Sequence, residues 1–327
     1  MNVTLLQGTS DPLRLAYTQT RGTTTSKGFA AVWNEPHKFF PKAVREERRA
    51  MQDEFNRRAA VGEATRSPYT QEDIRKLDKR EMTRLTQDAL AANHWSVARG
   101  IKFTFAFEVS RSTGRQMLRH IVDVNWEEMS QRYVKLLNPA WLLDFEDGLL
   151  RGDSYQYTPI EREAYLEKSV SLAAQVFEFP PSWNRMGAER RLSWLRVRAA
   201  EVNQYLEELA QGIPAEDARE NLPNCTKTQM IGTFGFEAIH NLMGKRLCTR
   251  AQEPFRDVAK AMRKEIVAQH PWLGAYMVPH CMPMMVCPEG RPDGCRLLFE
   301  NGGQVLRQAQ AAEAIKLYKK HLTASPE

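Results

Sequence analysis

Lys102-Phe103-Thr104-Phe105-Ala106-Phe107-Glu108-Val109 leads through Ser110 into Arg115-Gln116-Met117-Leu118-Arg119-His120, and then into Glu128-Met129-Ser130-Gln131-Arg132-Tyr133. The first block alternates, with Phe103, Phe105, Phe107 and Val109 on one side, which predicts a half-buried strand. Ser110 or Ser112 then supplies an N-cap for a helix. In that helix Gln116, Arg119 and His120 stand at i, i+3 and i+4 and are expected on one face, with Met117, Leu118 and Ile121 turned toward the core. Residues 115–133 hold three arginines beside a histidine, amides, a carboxylate and a hydroxyl. A solvated charged face is the ordinary reading of an arginine-rich run. Here the run follows a core strand, a usual place for a binding site. Its groups suit a phosphorylated, planar, polar ligand. Arginine offers forked donors to phosphate or carbonyl oxygens. Glutamine and serine add directional hydrogen bonds, and Glu128 is suited to sugar hydroxyls.

Outward from this centre, Val3–Leu6 reads as a short strand. Residues 42–58 read as an exposed charged helix with opposite charges at i,i+4. Thr70, followed by acidic residues, marks the start of a helix running to about Ala92. Pro159–Phe177 and Ala188–Leu209 read as amphipathic helices. Phe234–Cys248 reads as another, with Phe236, Ile239, Met243 and Leu247 on its apolar side. Pro254 suits the first turn of a helix ending near Gln269. Prolines 279, 283, 288 and 292 make the tail irregular. One domain is expected, with an insertion at about 25–80 and a Cys/Pro-containing tail at about 277–300.

At 327 residues, with 42% hydrophobic and 9% aromatic content, the chain has enough apolar material for a proper core. No apolar run approaches the roughly 20 residues that span a bilayer, and the first residues lack a signal-peptide pattern. A cytoplasmic protein with no membrane association is expected. Lys+Arg 46 against Asp+Glu 40 gives a net charge of +6, mild and suited to small anionic ligands. No basic tail or aromatic–basic interleaving argues for nucleic acid. Five cysteines without a secretory signal argue against a disulfide framework. His280-Cys281, Cys287 and Cys295 could chemically hold a metal but lack tight C-x2-C pairs, so no metal site is expected. There is neither a G-x-G-x-x-G turn nor a P-loop.

The central stretch resembles the flavin-dependent thymidylate synthases, whose signature is R-H-R-x7-S followed by G/Q-R-Y. This chain has Arg119-His120-Ile121, then Val122 to Met129, then Ser130-Gln131-Arg132-Tyr133. Four further blocks follow the family's order. They are Val3-Thr4-Leu5-Leu6 with Thr9-Ser10-Asp11-Pro12, and Asn93-His94-Trp95-Ser96 leading to Phe103-Thr104-Phe105. Next come Ala218-Arg219-Glu220-Asn221-Leu222-Pro223, and Arg246-Leu247 with Ala251-Gln252. Cys281, Cys287 to Gly290 and Cys295 resemble a cysteine-containing tail of longer members. The resemblance covers nearly the whole chain apart from about 25–80, which is longer than usual in the family.

The resemblance implies an α/β (α+β) fold with a mixed sheet and long helices, assembled as a homotetramer whose active sites form between subunits. It also implies C5 methylation of a uridine nucleotide, dUMP or UMP. FAD would carry the redox chemistry, with 5,10-methylenetetrahydrofolate and NADPH as co-substrates. Carried over residue by residue, Gln116, Arg119, Glu128, Ser130, Gln131 and Arg132 would contact the nucleotide, Arg119 and Ser130 in catalytic roles. Lys264 falls where the family has an arginine on the uracil ring. His94, Ser96 and His120 would contact FAD. The chemistry agrees with these roles: the arginine-rich stretch holds no cysteine to attack C6. Activation then falls to charged donors on the ring carbonyls and to a cofactor.

Four departures mark a divergent member: Ile121 for arginine, a spacer one residue longer, Arg99-Gly100 for a glutamate and histidine, and Gly235-Phe236-Glu237 for N-A-R. The last replaces the family's phosphate-binding arginine with a carboxylate. Either Glu237 pairs with a local arginine, or the ligand is presented differently. A specialised relative that hydroxymethylates or modifies another pyrimidine nucleotide remains an alternative. So does a non-catalytic flavin- or nucleotide-binding homologue.

Overall fold

The computed structural model describes residues 1–92, 94–133, 167, 170–171, 173–284 and 287. Much of the Pro159–Phe177 helix, most of the 277–300 tail, Asn93 and Cys295 lie outside them. Strand β1 (Asn2–Gly8) is followed by helices α1 (Pro12–Gly22), α2 (Phe29–Asn34), α3 (Lys42–Ala60) and α4 (Gln71–Ala91). Strand β2 (Lys102–Ser110), helix α5 (Arg111–Met117) and strand β3 (Val124–Glu128) come next. After them stand α6 (Ala188–Ala210), the short α7 (Ala215–Ala218), strand β4 (Lys227–Gly235), α8 (Phe236–Arg246), α9 (Glu253–Gln269) and α10 (Cys281–Met284).

The sheet order is β1-β2-β4-β3. The α/β class is as expected, but among the described residues the sheet is antiparallel rather than mixed, all three pairings running antiparallel. The register gives the reason. Gly8 at the end of β1 faces Phe103 near the start of β2. Glu128 at the end of β3 likewise faces Met230 near the start of β4. Each long excursion therefore leaves and re-enters at one end of the sheet, so the strands it joins run in opposite directions.

The alternation of β2 is realised: Phe103, Phe105, Phe107 and Val109 are all buried. Thr228, Met230 and Phe234 of β4 are buried on the same alternating plan. Against this layer pack Ile239, Leu242 and Met243 of α8, and Phe255, Val258, Met262 and Ile266 of α9. A second core joins Phe177 and Trp183 to Leu195, Val202 and Tyr205 of α6. The charged α3 buries only Met51 and carries i,i+4 pairs such as Arg58–Glu54 at 3.1 Å. Tyr17, Val32 and Phe40 form a small cluster linking α1 and α2 to the segment before α3.

Strands β3 and β4 depart from the sequence reading, which assigns no element to 124–128 and begins a helix at Phe234. Glycines 232 and 235 weaken the strand signal of β4, yet both are needed. A β-carbon on Gly235 would lie 1.5 Å from Asp123 Oδ2. Asp123 itself has φ 55° and pairs with Lys102, so the turn into β3 docks against that glycine.

Helix α4 opens with a capping box. Thr70 Oγ1 accepts from Asp73 N at 3.1 Å, and Asp73 Oδ2 accepts from Thr70 N at 2.8 Å. Thr70→Ala is expected to cost about 1 kcal/mol of stability, measured as a shift in the denaturant midpoint with unchanged slope. No shift would mean that the cap contributes nothing.

Candidate functional site

The candidate residues fall into three groups around α5 and α8. Ser110 caps α5, accepting from Thr113 N at 3.3 Å, while its own N–H donates to Glu178 Oε2 at 2.9 Å. Gly114 lets the helix press onto β4: a β-carbon there would stand 2.9 Å from Met230 Sδ. The helix then stops at Met117, short of the expected span. His120 N reaches Met117 O at 2.9 Å, closing a tight turn. Continuing helically would carry the chain away from β4, where β3 must pair. Gln116, Arg119 and His120 therefore do not share a helical face. Ile121 is 72% exposed rather than turned toward the core.

Gln116 hydrogen-bonds Gln252 at the start of α9. The Arg119 guanidinium is exposed and makes no hydrogen bond or ion pair among the described residues. His120 is the best-held of the three. Its Nε2 accepts from Arg246 Nε at 3.0 Å, and its carbonyl accepts from Trp126 Nε1 at 2.9 Å. Its ring meets Phe255 edge-on at 5.5 Å, and the Arg246 guanidinium lies 4.5 Å over the Phe255 ring. Burial, then the charges of Arg246 and Lys245, lower its pKa to about 4. Since Arg246 can only donate, the neutral imidazole carries its proton on Nδ1. Nothing in the sequence reading gives Arg246 a role, although it opens the Arg246-Leu247 block.

That histidine predicts a pH dependence. An unfolded histidine titrates near 6.5. Between about 4 and that value the unfolded chain binds more protons, so stability is lost as pH falls through this window. His37, His240, His270 and His280 are lowered as well, chiefly by burial, and act in the same direction. His120→Gln is expected to flatten the slope of unfolding free energy between pH 7 and 5 relative to the parent. Parallel slopes would refute the shift.

The second group surrounds the end of β3. Glu128 Oε1 accepts from the Thr228 hydroxyl at 3.1 Å. Ser130 to Tyr133 form a turn in which Ser130 O accepts from Tyr133 N at 3.2 Å. Arg132 is drawn to Glu216 of α7, Nε to Oε2 at 2.8 Å. Arg111, Arg115, Glu128, Ser130, Gln131 and Arg219 line a cavity of about 310 Å³ here.

The third group gathers His94, Trp95, Ser96, Arg99, Glu237 and His240 around a cavity of about 460 Å³. Trp95 stacks on His240 at 3.9 Å, and His240 Nδ1 donates to Tyr276 O at 2.7 Å. Arg99 Nε meets Glu237 Oε2 at 2.9 Å. The two departures from the family pattern thus pair with each other, the first of the two outcomes expected for Glu237.

One chain does not unite these groups. Glu237 and Arg246 sit near opposite ends of α8, about 13 Å apart along its axis, so His94 and Ser96 stand well away from His120. Lys264 is exposed on α9, also about 13 Å along its helix from Phe255. A larger cavity, about 670 Å³, lies elsewhere, among Asp11, Arg14, Arg75, Lys79 and His270. It holds none of the candidate residues, so size alone does not locate the site. Among the described residues there is no group of three or more His, Cys, Asp or Glu side chains placed to hold a metal. No helix there is long and apolar enough to cross a membrane.

The architecture is a small antiparallel sheet covered by long helices, with polar clusters at the end of β3 and the two ends of α8. Residues 50–272 match the family described as "Thymidylate synthase complementing protein". The chain belongs to that family. Among curated relatives, the flavin-dependent thymidylate synthase of Sulfolobus acidocaldarius is 29% identical over 197 residues, 60% of this chain and 61% of that protein. The enzyme of the same name from Pyrococcus furiosus is 26% identical over 236 residues, 69% of this chain and 82% of that one. The match thus spans about three fifths of the first of these relatives. A solved flavin-dependent thymidylate synthase from Helicobacter pylori, complexed with FAD and dUMP, shares the fold. Its TM-score is 0.51 at 16% identity, covering 85% of this chain and all of that one.

Proposed function

We propose that the protein is an FAD-dependent enzyme that methylates C5 of a uridine nucleotide, dUMP or UMP. Methylenetetrahydrofolate would be the carbon donor and NADPH the electron source. The observation that carries this reading is the segment leaving β2. In a chain of this family it offers exposed, uncommitted guanidiniums at Arg115 and Arg119, with Ser130 and Gln131 nearby and no cysteine. Arg119 and Ser130 are the proposed catalytic contacts. Gln116, Glu128, Gln131, Arg132 and Lys264 would complete nucleotide binding. Guanidinium donors on the ring carbonyls stabilise the negative charge that develops when C5 becomes nucleophilic. Bound FAD supplies the redox chemistry of the methyl transfer.

The donor set at the third group fits part of such a cofactor. His94, Ser96 and Asn241 border one polar cavity and offer hydrogen-bonding groups suited to a sugar chain, while Glu237 holds Arg99 beside them. A neutral His120, held by Arg246, supplies an Nδ1–H donor at the other end of α8. That separation supports a homotetramer in which residues from different copies complete each site. Cytoplasmic residence and the absence of a nucleic-acid partner belong to the same reading, as does a single domain carrying the 25–80 segment as an insertion. The test is direct. Purified protein with FAD, NADPH and methylenetetrahydrofolate is offered dUMP, UMP, dCMP and CMP, and products are weighed by mass spectrometry. A gain of one methyl on a uridine nucleotide is expected. A hydroxymethyl product would move the protein to the specialised alternative. A protein that stays colourless with added FAD would overturn the proposal.

A further inference from the structure

We propose that the cavity between the 25–80 segment, the start of α1 and the end of α9 is a second ligand site, one that takes a small anion carrying an apolar body. The site does not depend on the nucleotide reading, because it is lined by none of the residues assigned to nucleotide or flavin. Its volume of about 670 Å³ lies within the range of small-molecule sites, roughly 300–1,000 Å³. The 25–80 segment supplies one wall, with Asn34 and His37 from the stretch around the end of α2 and Arg75, Lys79 and Met82 from α4 or just beyond the segment's end. Leu13 and Trp272, 5% and 4% exposed, give it an apolar floor. Arg14 fastens the walls together. Its Nε donates to Trp33 O at 2.7 Å and its Nη2 to Asn34 O at 3.2 Å, which ties α1 to the end of α2.

Charge decides the class of ligand. Arg14, Arg75 and Lys79 line the cavity against two carboxylates, Asp11 and Asp78. Both carboxylates are already engaged. Asp78 Oδ1 accepts from Arg48 Nε at 2.7 Å, and Arg48 does not line the cavity. Asp11 Oδ1 accepts from Arg14 N at 3.0 Å, capping the positive end of α1. The cations are less committed. Arg14 is held by backbone carbonyls. Arg75 has an ion pair only with Glu72, at 3.9 Å, with both side chains largely exposed. Lys79 makes no hydrogen bond or ion pair among the described residues. His37 and His270 have their pKa lowered chiefly by burial, so they line the cavity as neutral rings. Arg75 and Lys79 stand one turn apart on the same face of α4, a spacing at which both reach one anionic group. The carbonyl end of α9 closes the opposite wall at Gln269 and disfavours an anion there. The anionic head therefore belongs against α4, and the body over Leu13, Met82 and Trp272.

The experiment titrates the full-length protein by calorimetry with biphenyl carboxylate, biphenyl phosphate, neutral biphenyl methanol and inorganic phosphate. Each titration is run with and without added FAD and dUMP. At least one biphenyl anion is expected to bind, and whichever head binds more tightly assigns the natural ligand to carboxylates or to phosphates. The alcohol and inorganic phosphate should each be weaker by about tenfold or more, lacking the head or the body. The double variant Arg75→Gln, Lys79→Gln should lose about tenfold or more in anion affinity and keep the parent's thermal midpoint, since both side chains are exposed. Lys76→Gln, on α4 but outside the lining, should match the parent. Asn34→Trp, which fills the cavity from its rim, should abolish binding. No binding of either biphenyl anion, displacement of the bound anion by FAD or dUMP, or equal affinity in the double variant would overturn the proposal and leave the nucleotide reading untouched.

Discussion

Phe234→Ala is expected to destabilise the protein by about 3–5 kcal/mol, the largest effect of any single substitution considered. Phe234 is fully buried in β4, between β2 and β3. Its ring meets Trp126 at 5.0 Å and Phe105 and Phe107 at 6.1 Å each, all edge-to-face. Truncation removes the apolar contact, opens a cavity, and breaks three aromatic pairs that hold adjacent strands together. Domains are stable by roughly 5–15 kcal/mol, so the variant should sit close to unfolding. Denaturant titration at fixed protein and ligand concentration checks this, because any assembly or bound ligand would shift the midpoint. A loss below about 1 kcal/mol would mean that this aromatic cluster is not what fastens β3 to the sheet.

Arg132→Ala is expected to weaken nucleotide binding by roughly ten- to a hundredfold while leaving flavin binding and folding nearly unchanged. A charge-assisted contact to a ligand oxygen contributes about 1.5–3 kcal/mol, and each 1.4 kcal/mol is tenfold. In the free chain Arg132 is tied to Glu216, with both side chains about half exposed. Pairs of that kind contribute about 0–1 kcal/mol, so loss of the pair cannot by itself unfold the protein. Glu216 instead holds the guanidinium beside the Ser130 turn, where a bound nucleotide would have to compete for it. Equilibrium titration of the flavin-loaded variant with dUMP and UMP separates the outcomes. Nucleotide affinity equal to the parent's would remove Arg132 from the site. Joint loss of flavin, nucleotide and thermal stability would instead give it a structural role.

Several elements were legible because local rules decide them. The alternation of Phe103, Phe105, Phe107 and Val109 has period two and can bury its face only as a strand. The Thr70 cap, the charged span after Lys42 and the Pro254 start are likewise local patterns, and the structure carries helices at Gln71–Ala91, Lys42–Ala60 and Glu253–Gln269. The pairing of Glu237 with Arg99 was one of two outcomes open in the sequence. Their 138-residue separation left only the folded chain to choose.

The sequence by itself determined the α/β class, the positions of most long helices, and the arginine-rich segment after β2 as the place to look for chemistry. It did so because hydrophobic period, caps and residue type act over a few neighbours. Tertiary structure alone decided the rest. It made β4 a central strand, because Gly232 and Gly235 are accommodated by Trp126, Phe234 and Asp123, which pack against them only once the sheet forms. It cut α5 short at Met117, because β3 has to return beside β4. It joined His120 to Arg246, and it gathered Arg111 and Arg115 with Arg219 around Ser130. These are contacts between residues on the order of a hundred positions apart. Their energies depend on the whole sheet being in place, which no local pattern along the chain encodes.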